Sequence, residues 1–292
     1  MVIDKLNIIK LEDYIEIPIA IGGSSEKLVL ENRFSRERYI VKSQKLDNKT
    51  NSPYKDHIAE FLGSNIIKLL GYESQKAYLV QYNDLITVAV KMFDFELKEL
   101  SNECNYFYSM EESFLDLDKI LSEYRTHLYT DKFDKEKFKR FLVQMLLVDY
   151  VIVNIDRHPG NIGFREVNGI LVPAPFYDAG ASLLTRYFFK DYQDVIENHK
   201  LVNYKVRLNN KRITFEQSLE QLSESTVDYK KEIRFLLENY DKNRKEIFKL
   251  IEFIQDIDNR YKNIIPLLET LLEMTTSELR SIINESNQLS WI

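Results

Sequence analysis

Apolar and polar positions in this chain follow two different periods, and the change from one to the other marks out its segments. Residues 15–21, 27–30 and 38–42 are short apolar or β-branched runs, and 77–82 and 86–93 are two more, joined at Asn83-Asp84. Residues 54–70 switch to helical spacing through Ile58, Phe61, Leu62, Ile66 and Leu69. The first third is therefore predicted to be a small antiparallel sheet with one helix. Residues 138–153 are again helical in spacing and become apolar on all sides toward their end, as a helix entering a core does. Beyond them, 162–164 and 170–172 flank Asn168-Gly169, the dipeptide of a tight type I′ hairpin. From Thr214 onward, apolar stripes through Phe235, Leu236, Phe248, Ile251, Ile254, Leu268 and Leu272 run between charged faces, with Pro266 beginning or interrupting a helix. The fold class is α+β, with a sheet unit over 1–94 and a larger, mainly helical unit over 95–292 that meet near Asp94.

Polar residues collect at the exit of the apolar helix. Asn154-Ile155-Asp156-Arg157-His158-Pro159-Gly160-Asn161 follows it, and the hairpin leads to Pro175-Phe176-Tyr177-Asp178. Pro159-Gly160 forbids further helix, so Asp156 and Asn161 sit at the two ends of one tight loop, and the second strand returns Asp178 toward Asn161. An acid, an amide five residues later and a second acid are the oxygen ligands with which phosphotransferases place a hydroxyl and hold Mg2+ on ATP. Taken alone, an Asp-x-x-x-x-Asn run is an ordinary solvated turn. The buried helix before it and the strand-borne acid after it give it chemical meaning. Asp156 is the candidate base, Asn161 and Asp178 the candidate metal ligands, and His158 a candidate for bonding the loop backbone or Asp178.

Such a loop needs a nucleotide site upstream. Gly22-Gly23-Ser24-Ser25 lies between the first two strands, where glycine lets backbone N–H groups approach phosphate oxygens. Lys42 ends the next strand, and Glu60 follows on the first helix at the separation of a lysine and the glutamate that fixes it against phosphates.

These residues together resemble a family. Gly23-Ser24-Ser25-Glu26-Lys27, Tyr39-Ile40-Val41-Lys42, Asp156 to Asn161 and Pro175-Phe176-Tyr177-Asp178 are similar, in order, to the HipA-type serine/threonine kinases, here in a short form without their extra N-terminal subdomain. The resemblance implies a two-lobed protein-kinase-like fold and an ATP- and Mg2+-dependent enzyme that phosphorylates a protein substrate and itself. It also implies a toxin role beside a small antitoxin or regulatory protein. By the same resemblance Lys42 contacts phosphates, and Lys91, Met92 and Phe93 form the hinge beside adenine. Two positions depart from the pattern. Ala20 stands where the family often has an autophosphorylated serine, leaving Ser24 or Ser25 as substitutes, and Asp178-Ala179-Gly180 replaces the Asp-Phe-Gly of many protein kinases. The loop also resembles those of aminoglycoside and phosphoinositide kinases, so a small-molecule or lipid phosphotransferase is the second reading.

Composition narrows the setting. At 292 residues the chain can bury a core and form two lobes around a cleft. Its single cysteine, Cys104, excludes an internal disulfide framework, and no run approaches transmembrane length. The start lacks a signal-peptide pattern, so a cytoplasmic protein is expected. A net charge of −6 gives no general attraction to nucleic acid or membrane. Between 185 and 212, Arg186, Lys190, Lys200, Lys205, Arg207, Lys211 and Arg212 outnumber the acids, a basic substrate platform or simply a solvated charge run.

Overall fold

The computed structural model describes residues 13–19, 27–42, 55–82, 85–99, 133–184, 192–198, 203–204, 213–257 and 261–288. The Gly22 to Ser25 turn, Ala20, Cys104 and the seven basic residues between 185 and 212 lie outside them.

Strands β1 (Tyr14–Ile17), β2 (Lys27–Asn32), β3 (Arg38–Lys42), β4 (Ala77–Tyr82) and β5 (Leu85–Lys91) form one antiparallel sheet in the order β1-β2-β3-β5-β4. The first strand is shorter than the apolar run that predicts it. Pro18 has no N–H to give the ladder, and the Ile19 N–H turns back to the Ile17 carbonyl at 2.8 Å. β5 ends at Lys91, and one further bond of the same ladder follows it, from the Met92 N–H to the Arg38 carbonyl at 2.8 Å.

Strand alternation gives the sheet two different faces. Leu30, Tyr39, Val41, Val80 and Ala89 make a small cluster on the outer face, with Tyr39 edge-on to Tyr14 and Tyr78 at 5.8 and 6.0 Å between ring centres. Leu79, Val88 and Val90 on the inner face pack onto helix α1 (Asp56–Leu69) and join the main core.

That core continues into the helices. Helix α2 (Lys135–Ile152) is capped by Asp134, whose carboxylate accepts the Lys137 N–H at 3.0 Å. Residues 145–152 of α2 are buried without exception, because α1 and three more helices surround them. Those three are α4 (Phe215–Glu220), α5 (Tyr229–Ile257) and α6 (Ile265–Gln288), while α3 (Tyr192–Glu197) packs on α6. Pro266 is the second residue of α6, where a missing N–H costs the helix nothing. Polar ties also join the helices: buried Glu232 of α5 accepts from Arg140 Nε and Gln144 Nε2 of α2, both at 2.7 Å.

Strands β6 (Lys98–Glu99), β7 (Gly163–Val167) and β8 (Ile170–Pro173) form a second antiparallel sheet beside α2. Val167 pairs with Ile170 across Asn168 and Gly169, whose φ angles of 53° and 78° are those of the predicted type I′ turn. A short ladder of β9 (Asn203–Tyr204) and β10 (Ile213–Thr214) leads into α4, which Thr214 and Gln217 close with a reciprocal capping box.

Candidate active site

Burying Tyr39 and Val41 on the outer face turns Lys42 inward, toward α1. Its ammonium donates to Glu60 Oε2 at 2.7 Å and to Asp178 Oδ1 at 3.0 Å. Glu60 is 1% exposed, and its other oxygen, Oε1, accepts the Ala179 N–H at 3.3 Å. Three distant segments thus meet at one cation. Burial alone disfavours the charged lysine, yet the two carboxylates outweigh it and raise the Lys42 ammonium above its ordinary range. Burial likewise works against ionising Asp178, but Lys42, helped by Lys27 and Arg157, holds its carboxyl well below the usual range. For Glu60, burial prevails and pushes the carboxyl up.

Antiparallel pairing of β2 with β3 sets Lys27 directly opposite Lys42. Burial lowers the Lys27 ammonium, and so does Lys42, while Asp178, Glu60 and Glu99 pull the other way. Lys27 therefore shares the electrostatic field of this cluster.

The loop after α2 is built around one guanidinium. α2 ends where Val153 adopts a left-handed conformation, φ 49°, and the Asn154 side chain donates back to Asp149 Oδ1 at 2.9 Å. Arg157, 0% exposed, donates to both oxygens of equally buried Asp149 at 2.9 and 2.8 Å. Its remaining terminal nitrogen, Nη1, donates to the carbonyls of Asn161 at 2.9 Å and Tyr177 at 3.1 Å. One side chain thereby ties the loop end to the segment that carries Asp178, which lies beyond the end of β8 at Pro173 and not on the strand itself. Within the loop, Asn161 Nδ2 donates to the Asp156 carbonyl at 3.1 Å, which turns its Oδ1 the other way. His158 Nδ1 accepts the Gly160 N–H at 3.1 Å, an orienting contact with the loop backbone.

Tyr177 closes the loop from outside. Its hydroxyl donates to the Gly160 carbonyl at 3.0 Å, and burial pushes the phenol up so that it stays a donor. Its ring stands edge-on to Phe93 at 6.0 Å. Tyr177→Phe is expected to lose about 1 kcal/mol of stability with the hydrogen bond, and turnover is expected to fall about fivefold as the loop loosens. Thermal unfolding and initial rates on one preparation check both.

Asp178 itself has φ 57°, a left-handed conformation held by the contacts on either side of it. α1 lies directly against the next residue. A Cβ added to Gly63 would stand 2.8 Å from Ala179 Cβ, so only glycine allows this approach.

At the end of β5, the Lys91 N–H donates to the Lys76 carbonyl at 2.8 Å, the Lys91 carbonyl accepts Gln75 Nε2 at 2.9 Å, and the Met92 N–H is held by Arg38. The Lys91 ammonium pairs with Glu37. Among the described residues, the Phe93 N–H and carbonyl have no such bond, and its ring stacks on Phe95 at 4.7 Å.

A protein-family profile described as the HipA-like C-terminal domain matches residues 19–246. The chain belongs to this family. The serine/threonine-protein kinase CtkA of Helicobacter pylori is 26% identical over 195 residues, 63% of this chain and 58% of that protein, so the chain spans somewhat under two thirds of this curated relative. The crystal structure of the proinflammatory kinase CtkA from Helicobacter pylori superposes with a TM-score of 0.70 at 21% identity, covering 94% of this chain and 97% of that one. HipA from the toxin–antitoxin complex of Shewanella oneidensis with HipB and operator DNA gives 0.61 at 15% identity, over 91% of this chain and 67% of that chain. The fold is the one these structures share.

In this HipA-like chain, reading the sequence assigned no role to Asp149, Arg157, Tyr177 or Lys27. A signal for the first two was present. Asp149 sits where α2 is apolar on every side, and a charge there requires a buried partner of opposite sign nearby. No comparable local signal marks Lys27, whose position beside Lys42 depends on strand register.

Proposed function

We propose that this HipA-like chain is an ATP- and Mg2+-dependent serine/threonine protein kinase that also phosphorylates itself. The observation that carries the reading is Lys42, held by Glu60 from α1 while it touches Asp178. The kinase relatives support it. A lysine so placed presents a fixed positive charge to nucleotide phosphates, and Lys27 adds a second one beside it. The proposed lobes are residues 1–94 and 95–292, joined at the hinge. Because Lys91 and Met92 N–H groups are occupied, the Met92 carbonyl and the Phe93 backbone are the groups offered to the adenine edge.

The residues fit a magnesium ion with a mixed shell. Among the described residues no three His, Cys, Asp or Glu side chains cluster as a metal site. Asp178 is open on one side, and Asn161 Oδ1 faces away from its own amide's hydrogen bond, so one carboxylate and one amide oxygen would hold the ion and leave its other ligands to phosphate and water. When bound, the metal neutralises charge on the phosphates. Asp156 orients the substrate hydroxyl and takes its proton as that oxygen bonds to the γ-phosphorus and the bond to the β-phosphate oxygen breaks. His158 keeps the loop backbone in shape for this.

We further propose a toxin role with a small antitoxin-like protein as partner, a reading supported by the likeness to the HipA of the HipB complex. Among the described residues no helix is long and apolar enough to cross a membrane. Labelled ATP and magnesium added to the purified chain and a cell lysate test the reading. Labelled protein bands on serine or threonine are expected, and label confined to small molecules or lipid refutes it. In the same assay Asp178→Ala should raise the magnesium requirement about tenfold or more. An unchanged metal dependence removes Asp178 from the metal site.

A further inference from the structure

Helix α1 begins with Asp56 in its first turn but with no capping side chain ahead of it. Lys55 occupies its N-cap position with no capping side-chain bond, and a cation there faces the positive end of the helix dipole. A residue so poorly suited to its local position is explained by what it touches elsewhere in the fold. The Lys55 ammonium donates to the Tyr192 hydroxyl at 3.2 Å and lies 5.1 Å from the centre of that ring. Tyr192 is wholly buried and opens α3, on the stretch of chain that follows Asp178. Burial lowers the Lys55 ammonium to about 8, as expected of a cation drawn out of water.

Apolar packing beside this contact leaves slack. A cavity of about 20 Å³, room for one water, is lined by Ile58 and Leu62 of α1, Leu183, Tyr192 and Ile254. The helix end is thus steadied by a polar tie next to a gap in the packing. Five residues on from Lys55, Glu60 reaches both Lys42 and the Ala179 N–H. A tilt of α1 at its first turn carries Glu60 away from both.

We propose that Lys55 and Tyr192 are positioning residues, a clamp through which the segment after Asp178 sets α1 and thereby the Lys42–Glu60 ion pair. Its consequence for turnover rests on the kinase reading above, while its consequence for α1 stands independently of it.

The test uses the full chain with Lys55→Met, which keeps most of the stem, Tyr192→Phe, which keeps the ring, and the two combined. Amide hydrogen exchange at Ala179 and across residues 56–62 reads the placement of Glu60 directly. Each single variant is expected to exchange about tenfold faster there, with α2 and α6 unchanged and no further gain in the double variant. Turnover should fall about tenfold at saturating ATP, with the ATP KM shifted less than about twofold. Unchanged exchange at Ala179, losses that add in the double variant, or unchanged turnover despite faster exchange each overturn the clamp. A parent chain that transfers no phosphate in any assay, together with the expected exchange pattern, refutes the kinase reading and leaves the clamp supported.

Discussion

Asp156→Asn is expected to fold and bind ATP like the parent chain and to transfer phosphate about a thousandfold more slowly. The substitution keeps the size of the side chain. It also keeps the Asp156 carbonyl, which accepts Asn161 Nδ2, and the Asp156 N–H, which donates to Asn154 Oδ1 at 3.3 Å. What disappears is the ability to take a proton from the substrate hydroxyl, a need that arises only during the reaction. The loss should therefore appear in kcat, with nucleotide affinity and melting temperature preserved. Single-turnover rates beside a nucleotide titration make the comparison. Activity within a fewfold of the parent would sink the assignment of Asp156 as base.

The second large effect concerns stability. Arg157→Leu should cost about 3–5 kcal/mol, because it leaves the Asp149 carboxylate in the core without its partner. The same change strips the Asn161 and Tyr177 carbonyls of their donor. Against a typical total of about 5–15 kcal/mol, that is enough to threaten folding at physiological temperature. Pairing it with Asp149→Leu removes the stranded charge, and most of the lost stability should return. Turnover should stay low in the double variant, since among the described residues only the Tyr177 hydroxyl on the Gly160 carbonyl then binds the loop to the segment before Asp178. Urea titrations of the single and double variants measure the first claim and rate assays the second. A single variant as stable as the parent refutes the anchoring role.

Elements whose cause is local were readable from the chain itself. Asn168-Gly169 specified its turn, and the spacing of Ile58, Phe61 and Leu62 specified α1. The Lys42–Glu60 ion pair was expected from separation along the chain, although helical phase alone could not aim Glu60 at β3. The structure supplies that aim through the Gly63 contact with Ala179. Features that depend on register or on a distant partner stayed hidden. β6 is two residues long, too short for any periodicity, and exists because Lys98 and Glu99 pair with Phe164 and Gly163. Lys27 opens the predicted run 27–30, but its place opposite Lys42 appears only when β2 and β3 are aligned. Asp149 in its apolar helix signals a buried partner, but that Arg157 is that partner, with four bonds to groups four to twenty residues away, appears only once the loop is folded.

The Arg157 grip has a bearing on ionic conditions. Dissolved ions weaken attractions between charges that water can reach, over distances of about 8–10 Å at ordinary salt, and do little to a pair sealed from solvent. Asn161 and Asp178 owe their spacing to such a sealed pair. The chain can therefore meet wide swings in ionic strength with the frame of its proposed metal site unaltered, while the charge attraction that would draw nucleotide to it rises and falls with dissolved salt.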